Sequence, residues 1–304
     1  MFGVVDELAG KQTNYVYKEG RKVDADDVIS LVHHYLTDMV PAAGRAQKLT
    51  LWMDSCSGQN RNQFLVQYLY LRVLQDKNKE ITVNFMVVGH TRFSPDRGFG
   101  RLDKNMSDCN ILDGNEFIKT ITGGQNFTIE PPASVFRCWR DGFVKYFYDV
   151  PGICSTDIIS LKFVKEETGL VQLSWAERKE IGEAKSFSLQ SQLLRQGRKK
   201  NADIPNAISS VMEALSLDHL QHCFPPSSKD GLISKNRKEY LLKLILPELE
   251  RMQVPEQTKQ WWRDLQCSNS VEESVEGEVG EGEIDHTPTM ITHSRVPRTS
   301  LTGP

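Results

Sequence analysis

Nothing in these 304 residues approaches 18 consecutive apolar positions, so a membrane-crossing helix is not expected. The opening stretch, MFGVVDELAGK, has neither a basic segment nor a long apolar core, and a secretory leader is not expected either. Cysteine is sparse. The six, at 56, 109, 138, 154, 223 and 267, are scattered, which fits reduced thiols in cytosol or nucleus better than a disulfide framework. Charge of one sign is lacking too, with 37 Lys and Arg against 40 Asp and Glu. Internal repeats are absent, and the composition excludes a collagen, a coiled coil or a small secreted scaffold. What is there is the material for a core: 39% hydrophobic residues, with 13 Phe, 8 Tyr and 5 Trp.

The net charge of −3 hides a split. From Ser268 onward stand seven acids (Glu272, Glu273, Glu276, Glu278, Glu281, Glu283, Asp285) and two bases (Arg295, Arg298). The body before them then carries 33 acids and 35 bases, close to neutral, so binding a polyanion requires a local patch. Arg195, Arg198, Lys199 and Lys200 form one candidate, readable equally as a solvated linker.

Patterning predicts three regions: a core over 1–185, a mainly helical extension over 186–267, and a disordered acidic then Ser/Thr/Pro-rich tail over 268–304. In the core, FGVV and NYVYK read as strands. DADDVISLVHHYLTDMV reads as an amphipathic helix, KLTLWMD as a buried strand, NQFLVQYLYLRVLQDK as a second amphipathic helix and ITVNFMVVGHT as a second buried strand. Such alternation predicts an α/β sheet with crossover connections. Further on, VFRCWRDGFVKYF reads as helix or strand, and IISLKFVKEETGLVQLSW as a hairpin turning around 167–169.

Two acids stand out by position. Asp54 ends the first buried strand, and Asp96 follows the second within GHTRFSPDRGFG. If those strands run parallel, both carboxylates leave from the sheet edge where open α/β folds place ligands. Carboxylates gathered there suit Mg²⁺ or Mn²⁺, and a metal pair can drive phosphodiester chemistry. Asp6, after the first strand, and Glu19, after the second, are candidates for a third ligand. The element order is that of a ribonuclease-H-like nuclease core: a mixed sheet flanked by helices. Strand-end Asp also serves as a helix cap or turn former, and spacing alone leaves both readings open.

The block WMDSCSGQNRNQFLVQYLYLRVL, followed by ITVNFMVVGHTRFSPDRGFG, resembles a widespread eukaryotic domain of transposon origin. Its members carry Asp-Asn-Cys-x-Gly-Gln-Asn-Lys-Asn and Gly-His-Thr-Lys-Phe-Ser-Pro-Asp motifs. YVYKEG, PPASVFRCWRDGFVKYFYDVPGI and GLISKNRKEYLLKLILP are similar to further family segments. The resemblance implies a ribonuclease-H-like, transposase- or integrase-related domain in which Asp54 and Asp96 are the two best-marked acids and Glu19 a third. Ser55 stands where members have Asn, Arg61 and Arg92 where they have Lys, and Arg97 in place of a common Trp. Members often carry an upstream region, so the resemblance also implies a core shortened at its N-terminus, or a domesticated derivative.

The expectation is therefore a transposon-derived nuclease acting on DNA through Mg²⁺ or Mn²⁺. Asp54, Asp96 and Glu19 (or Asp6) would hold the metal, and Gln59, Asn60, Arg61, Asn62, His90 and Arg92 would meet the nucleic acid. The alternative is a catalytically inactive module binding nucleic acid or protein. Nuclear residence is expected, otherwise cytoplasmic, with no membrane, no small-molecule cofactor, and homo-oligomerisation left open. Two other chemistries are set aside. Cys56 with His90 lacks an oxyanion feature, and His219, His222 and Cys223 lack the second ligand pair a zinc site needs.

Overall fold

Two strands open the chain, β1 (Phe2–Asp6) and β2 (Lys11–Tyr15), paired antiparallel around a turn where Gly10 takes a φ of +62°. The computed structural model describes residues 1–17, 21, 23–40, 47–86, 94–107, 109, 113–122, 126–149, 152–178, 185–188, 204–227, 233–234, 239, 243, 246–251, 254–267, 270–271 and 289–295.

Helix α1 (Ala25–His34) begins because the Asp24 side chain accepts hydrogen bonds from the Asp26 and Asp27 N–H groups, the N-cap arrangement that satisfies otherwise orphaned donors. β3 (Lys48–Met53), α2 (Gln63–Leu74) and β4 (Glu80–Phe85) follow, and β3 and β4 are parallel with α2 as the crossover. α2 is not amphipathic as the sequence suggests. Every residue from Leu65 to Leu74 is buried, because sheet and neighbouring helices enclose it. Its Arg72 is held inside by the Tyr68 hydroxyl and the Asn78 side-chain oxygen.

Next come α3 (Ser94–Ser107), α4 (Gly114–Ile121), β5 (Asn126–Ile129) and α5 (Trp139–Tyr146), which resolves VFRCWRDGFVKYF as helix. β6 (Ile158–Lys165) and β7 (Val171–Glu177) form the expected hairpin, with Gly169 at a φ of +81° in its turn. β8 (Lys185–Ser188) extends that sheet across the boundary expected at 185. Beyond it lie α6 (Ile204–Ala214), α7 (Leu220–Cys223), β9 (Ile233–Ser234), α8 (Leu246–Arg251), α9 (Glu256–Cys267) and β10 (Ser270–Val271).

The last strand departs from the expected disorder. β11 (Thr289–Arg295) lies inside the main sheet, whose order is β5-β2-β1-β11-β3-β4-β6-β7-β8. It runs parallel to β1 and antiparallel to β3. Composition marks the tail as a whole as acidic and polar, and masks the β-branched Thr289, Ile291 and Thr292 within it.

The fold is thus a mixed sheet flanked by helices. α1, α2 and α5 cover one face, over a core that includes Phe2, Leu51, Val83 and Phe163 from the strands and Trp139, Tyr68 and Phe143 from the helices. α3 covers the other face at β1. An ideal Cβ on Gly3 would lie 2.6 Å from the Phe99 ring, and one on Gly98 would overlap the Gln12 amide. Gly3 therefore allows the Phe99 ring to approach β1 closely, while a side chain at position 98 would have to displace the Gln12 amide. Among the described residues no helix is long and apolar enough to cross a membrane.

Candidate functional site

The segment after β3 folds back on itself. The Cys56 carbonyl accepts from the N–H groups of Gln59, Asn60 and Arg61, at 3.3, 2.8 and 2.9 Å. This turn brings Asn60, fully buried, beneath Asp54. Asp54 Oδ1 accepts from the Asn60 Nδ2 group at 2.5 Å and from the Cys56 N–H at 3.1 Å. The carboxylate is thereby held in one orientation just past the strand end. Asn60 Oδ1, on the same side chain, is buried with no hydrogen-bond partner among the described residues.

Ser55 ties β3 to β4: its hydroxyl donates to the Met86 carbonyl, and the Met86 N–H donates to the Met53 carbonyl. Residue patterning gave Ser55 no role. The signal that could have found it is its position between two strands that must leave the sheet together.

Arg61 is not available to a phosphate, contrary to expectation. It is 4% exposed; its Nη1 donates to the Ser155 and Ile158 carbonyls at 2.6 and 2.7 Å, and its Nη2 to the Ser55 hydroxyl at 3.2 Å. The guanidinium also stacks 4.2 Å from the Phe85 ring centroid. Burial pulls its pKa below the ordinary arginine value. The guanidinium is a clamp between the loop after β3 and the segment leading into β6. Asn62 is likewise engaged: its Oδ1 caps α2 by accepting the Leu65 N–H, and its Nδ2 donates to the Gln59 carbonyl. Gln59 reaches the Val23 carbonyl at 3.5 Å. The polar run Gln59–Asn62 therefore builds the Asp54 loop, with Asn60 and Arg61 buried in it.

The parallel pairing of β3 and β4 sends both following connections out at one rim. Asp96 lies in the first turn of α3. Register locates that turn: Gly3 pairs with Met290 and Ile291 with Met53, so Gly3 is level with Asp54, two strands and roughly 10 Å away. Phe99, one helical turn after Asp96, rests on Gly3. α3 thus lies against β1, two strands from Asp54. β2, antiparallel to β1, leaves the sheet at that rim too. Glu19, which follows it, lies outside the described residues, as do His90 and Arg92.

Asp6 does not join this group. It is level with Leu51, about three residues along the strands from Asp54, and β1 carries the chain away from the rim. Its Oδ1 accepts from the Leu8 and Ala9 N–H groups and closes the β1–β2 turn, the structural role open to any strand-end Asp. Among the described residues no three His, Cys, Asp or Glu side chains converge as a metal-binding group. Among the described residues Cys56 is exposed, and burial pushes the Cys154 thiol up to about 11.

A second polar assembly escaped the sequence reading. Arg140 binds Asp24 and Asp26 at 2.6 and 3.0 Å, while Arg21, wholly enclosed and lying over the Phe136 ring, binds Asp27 at 2.6 Å. These pairs neutralise the acids of the first turn of α1, which are buried against α5 and the segment before it.

No match was found among curated proteins or among solved structures. Over residues 1–150, the part that contains β1 to β5, α1 to α5, Asp54 and Asp96, the chain is similar to a family described as a domain of unknown function (DUF7869).

Proposed function

We propose that the chain is a ribonuclease-H-like, transposon-derived protein that uses carboxylate-bound Mg²⁺ or Mn²⁺ for phosphodiester chemistry on DNA. The observation that carries this reading is Asp54, fixed by Asn60 and the Cys56 N–H at the rim where the parallel strands β3 and β4 both leave the sheet. The donors suit the metal. Two carboxylates and the orphaned Asn60 Oδ1 are hard oxygens, which Mg²⁺ and Mn²⁺ prefer. Asp54 and Asp96 would hold the ion, joined by Glu19 from the segment after β2. A bound ion of this kind supplies Lewis acidity at a phosphoryl oxygen and a water of lowered pKa. Asn60 keeps Asp54 aimed, and Ser55 holds the two strand ends together. A DNA substrate would set its work in the nucleus.

A second reading, a non-catalytic module binding nucleic acid or protein, draws on the described residues, among which no three His, Cys, Asp or Glu side chains converge on an ion. Incubating the chain with single- and double-stranded DNA in Mn²⁺ separates the two. The nuclease reading expects cleavage that Asp54→Asn removes. Salt-dependent DNA binding without cleavage, unchanged by Asp54→Asn, would support the module instead.

A further inference from the structure

β1 and β3 are not bonded to one another. Every ladder hydrogen bond across the gap between them is made by β11, which pairs Thr289–His293 with Phe2–Asp6 on one side and Ile291–Arg295 with Leu49–Met53 on the other. A strand in the middle of a nine-stranded sheet is thus supplied by the segment that is last in chain order. It is reached through residues 272–288, which carry all seven tail acids and three glycines. Extended, a segment of that length reaches about 55 Å. Helices flank β11 on both sides: α3 packs on β1 and on β11 itself, α4 packs on β5, and α2 packs on β4, β6 and β7. α1 meets both α2 and α5 across the covered face. An unfilled gap one strand wide presents two rows of backbone donors and acceptors, the feature by which sheets capture extended segments.

We propose that the gap between β1 and β3 is a strand-acceptor site and that this chain's own Thr289–Arg295 is its reversible occupant. Met290 is level with both Gly3 and Asp54. Seating β11 therefore completes the sheet between the loop that presents Asp54 and the strand on which α3 is anchored, and withdrawing it leaves that rim split. The inference does not rest on the nuclease reading, since it concerns backbone pairing alone.

Hydrogen exchange on the full-length chain tests it first. The amides of 289–295, bonded on both sides, should exchange at least 100-fold more slowly than in a free peptide of the same sequence; exchange at the free-peptide rate overturns the assignment. Ile291→Pro in the full chain removes a donor in the middle of the strand and should vacate the gap. That variant should then take up a fluorescent synthetic peptide of residues 286–298 saturably, while the unaltered chain does not. A folded variant that ignores the peptide contradicts a site able to capture this segment. If Ile291→Pro does not fold, the pair Trp52→Cys and Thr292→Cys decides, because these positions face each other across β3 and β11. An intramolecular 52–292 disulfide in a monomeric chain supports the proposal. Failure to form it, or a bridge between two chains, overturns it.

Discussion

At the residue scale, the loop between β3 and α2 assigns different work to neighbouring side chains. Asn60 orients a carboxylate, Arg61 pins two backbone carbonyls, and Asn62 starts a helix. Arg61→Lys keeps the charge but cannot bridge Ser155, Ile158 and Ser55 at once. It should cost about 2 to 3 kcal/mol in urea unfolding, the scale of charge-assisted hydrogen bonds lost from a buried site, while leaving the salt dependence of any DNA binding unchanged. Asn60→Ala should cost about 1 kcal/mol in the same measurement, yet weaken Mn²⁺ binding at least tenfold, because it removes both the Asp54 donor and the unpartnered oxygen. His33 supplies a pH signature. Burial, reinforced by the Arg72 charge, lowers its pKa from 6.5 to about 3. The unfolded chain takes up a proton near 6.5 that the folded chain refuses. Its contribution to stability is therefore complete above that pH and declines as pH falls toward 3, by up to about 1.4 kcal/mol per unit. His33→Gln should flatten the fall in unfolding free energy measured between pH 6.5 and 4.

At the scale of elements, much was legible because the patterns are local. The β6–β7 hairpin was readable from alternation and from Gly169, and α1 from Asp24 followed by periodic apolar residues. α2 misled because a helix enclosed on all sides looks amphipathic only when its Gln67 and Arg72 are taken for a solvent face. Asp54 and Asp96 were legible as strand-following acids. The roles of Arg61 and Asn62 were not, since a polar run reads as surface until the carbonyls of Ser155 and Ile158, supplied almost a hundred residues later, come into view. Asp6 was misassigned because its position just past a strand says nothing about strand direction, which the pairing of β1 with β11 fixes. The docking of α3 offers a test of its own. Gly3→Ala should destabilise the chain by about 1 to 3 kcal/mol through overlap with Phe99. Adding Phe99→Ala should cost less than the two single changes summed, as a double-mutant cycle in urea would show.

At the scale of the whole molecule, one sheet gathers strands from both ends of the chain. β2, β3 and β4 leave it at one rim, where Asp54 sits. That joining of β1 to β3 by β11 was out of reach of the sequence, because pairing between distant segments has no local periodicity to announce it. The central claim is that the acids at this rim take a divalent cation. Titrating the chain into Mn²⁺ and following the loss of the free-ion electron paramagnetic resonance signal tests it most directly. The account predicts saturable uptake by the unaltered protein that is lost in Asp54→Asn and again in Asp96→Asn. A free-ion signal that never falls, or uptake indifferent to both substitutions, would contradict it.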